Sequence, residues 1–152
     1  ESEEMYLEAD SLYYAELYQE SINKLNLLDP DASNNLRVLL LYGLNYTALV
    51  ENQKAIDYLT RMIFIDDKCF MAYANRGLVY YLDSRYDEAV DDARKAISIH
   101  SDCSYPYLTL GKIFLVTDNK IRGCNCMRKV LRIGDDEKNN EEAISWFRDY
   151  CN

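Results

Sequence analysis

Histidine, tryptophan and proline are scarce in this sequence, at one, one and two residues among 152. With His100 as the only imidazole, there is little material for a nucleophile–base arrangement or a histidine-bearing metal site. Neither a phosphate-cradling glycine-rich loop nor an HExxH pair occurs. Catalysis is therefore not expected, and no metal or cofactor is either. Positive charge is the minority sign, 17 Lys and Arg against 26 Asp and Glu, for a net charge of −9. A general nucleic-acid binder works by neutralising phosphates, so that class is excluded from the expectation. Long apolar runs are absent too. The stretch around Val38 to Tyr42 is broken by Gly43 and Asn45, well short of the roughly 18 residues that span a bilayer, and no membrane insertion is expected. The first residue is Glu1, with no Met and no basic-then-apolar leader, as expected of a processed form or a piece of a longer protein.

Five cysteines (Cys69, Cys103, Cys124, Cys126 and Cys151) match neither a secreted disulfide framework nor a paired CxxC zinc site. Cys124-x-Cys126 has no second close pair to complete a ligand set, so the thiols are expected to be structural or incidental. That favours a reducing, cytoplasmic location, with an exported location open if a leader has been removed.

The sequence does hold enough apolar surface, 49% hydrophobic and 12% aromatic residues, to order one globular domain. It also repeats. Gly43, Gly77 and Gly111 are spaced by 34, and one further step back reaches Ala9. The same step joins Ser21, Ala55, Ala89 and Gly123, all small, and Leu12, Tyr46, Tyr80 and Phe114, all large and apolar. Runs such as Ala72 to Leu82 and Tyr86 to Ile99 carry apolar residues three and four apart, which predicts amphipathic helices. Asp83-Ser84-Arg85 between them is a turn long enough only to fold the second helix back antiparallel to the first. Glycine costs about 1 kcal/mol in a helix interior, so its recurrence predicts that two helix backbones approach closely at these columns.

The stretch Tyr73-x-x-x-Gly77-x-x-Tyr80-Tyr81, followed by Tyr86-Asp87-Glu88-Ala89-Val90 and Ala93-x-x-Ala96-Ile97, resembles the tetratricopeptide repeat. Four repeats can be written, 2–35, 36–69, 70–103 and 104–137, followed by a capping helix at about 139–151 or, alternatively, the first helix of a fifth repeat. The departures are specific: Met5, Leu39, Tyr73 and Tyr107 stand at the family's usual Trp, Glu8 and Arg76 replace its leucine, and the closing proline is absent. Pro30 is expected to end the second helix of the first repeat early. Ala143, Ile144, Phe147, Tyr150 and Cys151 are expected to form the apolar side of the capping helix, with Trp146 at its edge and Asn139-Asn140 as its cap.

The resemblance implies an all-α, right-handed superhelix of antiparallel helix pairs, with the first helix of each pair lining a concave groove. On that basis the candidate peptide-binding residues are Tyr6, Tyr13, Tyr14, Leu40, Leu44, Ala74, Asn75, Leu78, Tyr81, Tyr105, Leu108 and Lys112, a mostly apolar and aromatic set. Some members of the family grip an acidic chaperone tail with cationic side chains on this face. The corresponding positions here hold Tyr6, Asp10, Leu41, Met71 and Asn75, or in the next register Leu40, Leu44, Asn75, Tyr105 and Thr109, and the required positive charge is lacking. An apolar groove suits an extended peptide with hydrophobic anchors or an amphipathic helix. The expected function is a non-catalytic scaffold or adaptor for a protein or peptide partner. The alternatives are a small chaperone for secreted or translocator proteins, or a self-associating repeat. Homo-oligomerisation stays open because residues 1–23 hold seven carboxylates and no base, whereas 119–134 hold five bases and no acid.

Overall fold

The structure is a computed structural model that describes residues 1–28 and 34–151. Among these residues there are nine α-helices: α1 (Ser2–Tyr14), α2 (Tyr18–Leu25), α3 (Leu36–Ala48), α4 (Asn52–Ile65), α5 (Phe70–Leu82), α6 (Tyr86–Ile99), α7 (Ser104–Val116), α8 (Lys120–Ile133) and α9 (Glu137–Tyr150). The fold is all-α, and the helices form antiparallel pairs. First helices begin at residues 2, 36, 70 and 104 and second helices at 18, 52, 86 and 120, so the 34-residue period governs the elements themselves. The expectation that Pro30 ends a helix lies outside the described residues.

Each pair is joined by three residues whose middle member has positive φ: Glu16 (61°), Val50 (60°), Ser84 (59°) and Asp118 (62°). Backbone hydrogen bonds fix that geometry. In the second pair Val50 N donates to Thr47 O at 3.0 Å and Glu51 N to Tyr46 O at 2.9 Å, which caps the last carbonyls of α3 in a Schellman motif. The same two bonds recur in the other three turns, for example Ser84 N to Tyr81 O and Arg85 N to Tyr80 O.

The chain divides into two compact units, Glu1–Asn75 and Arg76–Asn152. In the first, α1 packs on α2, α3 on α4, and α2 on α3. Ala9, Ile22, Leu25, Val38, Leu41 and Tyr42 form its core. The small residue at position 21 also has a polar role there. Ser21 Oγ donates to the Ala9 carbonyl at 2.7 Å and accepts from Asn45 Nδ2 at 2.8 Å, so buried hydrogen bonds join three helices.

In the second unit Gly77 shows why that column is small. A Cβ there would stand 3.3 Å from both the Ala89 carbonyl oxygen and the Ala93 nitrogen, which are α6 backbone atoms that cannot swing aside. Arg76, at the family's leucine position, forms a two-pronged pair with the nearly buried Asp92, Nε to Oδ2 at 2.6 Å and Nη2 to Oδ1 at 2.8 Å. Helix α9 packs against α8 and α7 through Ala143, Trp146, Phe147 and Cys151, onto Leu108, Leu115, Met127 and Val130.

Three details of this helix differ from expectation. Ile144 and Tyr150 are 54% and 46% exposed, while Trp146 belongs to the packed side, because the face that α9 turns to α7 and α8 runs through Ala143, Trp146 and Phe147. The cap is Asp136, whose side chain accepts from Asn139 N at 2.7 Å, so the helix starts two residues before Asn139. Finally, Cys124 and Cys151 form a disulfide across 27 residues, so these two have a structural role but not the reduced state expected of them. The packing of α9 sets their Cα atoms 5.7 Å apart. Cys69, Cys103 and Cys126 are free.

Candidate interaction surface

In the first unit the candidate residues lie on α1, α3 and the start of α5. Tyr6 is half-buried, and the Arg37 guanidinium sits 4.2 Å from its ring centroid while also pairing with Glu3 at 3.1 Å. Glu3, Tyr6, Leu28, Arg37 and Val38 line a cavity of about 90 Å³ beside this contact. Tyr13 is half-buried and packs edge-on against Tyr14 at 5.4 Å. Burial, followed by the neighbouring Tyr18, Tyr14 and Asp10, pushes its phenol above the usual range. Tyr14 is 77% exposed, and Leu40 and Leu44 are half-buried. Asn75, also partly exposed, donates from Nδ2 to the Met71 carbonyl at 2.8 Å. Ala74 is 2% exposed, which takes it out of any accessible lining.

In the second unit Leu78, Tyr81 and Tyr105 are half-buried. Lys112 Nζ lies 5.8 Å from the Tyr81 ring centroid and pairs with Glu142 of α9. The Tyr81 phenol is raised by burial and then by Tyr86, Glu142 and Tyr150. Leu108 is 2% exposed and belongs to the cluster completed by Ala143. The expectation that Leu108 faces a ligand is corrected accordingly, because α9 covers it.

The last helix thus adds its own side chains to the surface. Glu142 and Tyr150 stand beside Tyr81, and Trp146 stacks on Tyr150 at 5.0 Å. Sequence reasoning missed these three, and only the four-residue spacing of Trp146 and Tyr150 hinted at them. What each unit offers by itself is partly exposed rings and aliphatic side chains with few fixed charges, suited to apolar anchors.

No protein-family model matches the sequence. Solved structures do match its fold. A thermophilic TPR protein of Thermus thermophilus, TTC0263, superposes with a TM-score of 0.83 at 17% identity, covering 97% of this chain and 81% of that one. This chain has the tetratricopeptide-repeat fold. Two MamA structures share the repeat architecture. One has a TM-score of 0.75 at 23% identity over 88% of this chain and 78% of that one. The other, MamA from residue 41 onward of Desulfovibrio magneticus RS-1, has a TM-score of 0.76 at 15% identity over 99% and 93%.

Proposed function

We propose that the protein is a non-catalytic protein–protein interaction module. It binds a peptide or helix of a partner through the apolar and aromatic side chains on the first helices of its repeats, and it uses neither nucleic acid nor cofactor. One observation carries this reading: Tyr6, Leu40, Leu44, Leu78, Tyr81 and Tyr105 stay partly exposed on first helices although their size and character suit a core. Burying about 400 Å² of such surface gains about 10 kcal/mol. Association costs of several kcal/mol reduce that to an affinity in the micromolar range.

Affinity capture with the wild type beside Leu44→Asp and Leu78→Asp, with captured proteins identified by mass, tests the reading. A partner retained by the wild type and lost by both variants, at unchanged helical circular dichroism, supports it. Equal retention by all three would sink it. The Cys124–Cys151 bond supports the exported alternative over a cytoplasmic location, since such cross-links persist in oxidising compartments. Alkylation of thiols in intact cells, read as a mass shift, separates the two locations: five modifiable cysteines place the chain in a reducing compartment and three in an oxidising one.

A further inference from the structure

Helix α8 carries Lys120, Arg122, Arg128, Lys129 and Arg132 and no carboxylate. Among the described residues, Arg122, Arg128, Lys129 and Arg132 have no carboxylate within ion-pairing distance. Three of them lie over rings instead: Arg122 4.2 Å from the Phe114 centroid, Arg128 5.2 Å from Phe147, and Lys129 5.5 Å from Tyr107. Rings hold these cations in place without neutralising them. Ile121, 78% exposed, and Leu131, 38% exposed, stand among them. The result is a cationic strip with two apolar side chains on a chain of net charge −9.

The chain itself supplies the complementary surface. Helix α1 exposes Glu4, Leu7, Glu8, Ser11 and Tyr14 at three- and four-residue spacing, with Leu7 53% and Tyr14 77% exposed. Glu3 and Glu8 hold Arg37 and Lys24, and Glu4 lies 3.4 Å from the terminal amine, but Asp10 on α1, Glu16 in the turn after it and Glu20 on α2 have no cationic side chain at ion-pairing distance among the described residues. The two helices are 13 and 14 residues long, about 20 Å each, so the strips are commensurate. Each combines one sign of charge with two exposed apolar side chains. Nucleic acid is the poorer occupant, because a chain of net charge −9 repels phosphates over its surface as a whole.

We infer that the basic strip of α8 docks the acidic face of α1 from a second copy of this chain. The two patches are different surfaces, so the contact is head-to-tail and adds copies in series. It is independent of the groove reading above and survives if that reading fails.

Sedimentation velocity on the full chain tests it. The weight-average mass should rise with protein concentration at about 0.01 M ionic strength and return to that of a monomer at about 1 M, where the screening length falls to about 3 Å. Arg128→Glu with Arg132→Glu should weaken the association at least about tenfold, whereas Arg94→Glu with Lys95→Glu on α6 leaves it unchanged. Glu4→Arg with Glu8→Arg should weaken it likewise, and mixing the two α1 and α8 variants should restore a complex between them. That rescue distinguishes a lost contact from a lost fold. A monomer at every salt concentration overturns the inference. So does self-association indifferent to the α8 reversal, or binding of oligoglutamate to α8 by a chain that stays monomeric.

Discussion

Val50 offers the sharpest test of how the repeats are joined. Its φ of 60° puts a β-branched residue in the left-handed region, held there by the paired hydrogen bonds that cap α3. A Cβ in that conformation costs about 1–2 kcal/mol. The side chain is 75% exposed, so it recovers only about a quarter of the roughly 1.5–3 kcal/mol that full burial would give. Val50→Ala should therefore lose about 0.5 kcal/mol of packing and keep the strain. Val50→Gly loses the same packing and removes the strain, while the freer unfolded chain takes back about 0.4–1 kcal/mol. The glycine variant should come out about 1 kcal/mol more stable than the alanine variant, or about 2–4 °C in Tm for a chain of this size. At Thr60, exposed inside α4, the same pair should reverse sign, with glycine the less stable by about 1 kcal/mol. Urea and thermal unfolding followed by circular dichroism give all four values. If Val50→Ala equals or exceeds Val50→Gly while the Thr60 pair behaves as expected, the turn stores no strain and the reasoning is wrong.

Three other perturbations reach different parts of the molecule. Cys151→Ser opens the 27-residue loop closed by the disulfide and should cost about 3 kcal/mol, read as loss of amide-exchange protection confined to α9 and its contacts on α7 and α8; unchanged protection refutes the clasp. Asp92→Ala removes the carboxylate that pairs with the Arg76 guanidinium, whose side chain is 16% exposed, and should cost about 3 kcal/mol in urea unfolding. Arg76→Leu combined with Asp92→Leu should cost less than that single change, and an equal or larger loss would contradict the account of the pair. Burial, with Tyr58 and Tyr46 adding to it, pushes the Tyr42 phenol up to about 12 from 10.0. The fold thereby favours the protonated form, so this contribution is complete below pH 10 and is lost as pH rises from 10 toward 12. Tyr42→Phe should flatten the fall of stability in that window, and an undiminished slope assigns alkaline unfolding to other groups.

Side-chain size and hydrophobic spacing are written in the letters of a sequence, and they are enough to place the helix pairs and their 34-residue period. The columns through Gly77 and Ala89 are readable because a backbone approach demands a missing side chain. The turns are not readable in the same way. Glu16, Val50, Ser84 and Asp118 share no chemistry, since main-chain hydrogen bonds that every residue can make impose their left-handed conformation. The disulfide also escapes such a reading, because Cys124 and Cys151 meet only after α9 has docked.

The candidate surface shows the same division between position and surroundings. Tyr6, Leu40, Ala74 and Leu108 occupy equivalent places in successive repeats, yet the first two are half-buried and the last two are 2% exposed. A repeat dictates where a residue stands on its helix, whereas its exposure depends on what the neighbouring helix carries. For Leu108 the neighbour is α9, which covers it and brings Glu142 to Lys112 and to the edge of Tyr81. Any ligand of the second unit therefore meets α9 together with the repeats, and changes to Glu142 or Tyr150 should alter partner choice while leaving the first unit's surface as it is.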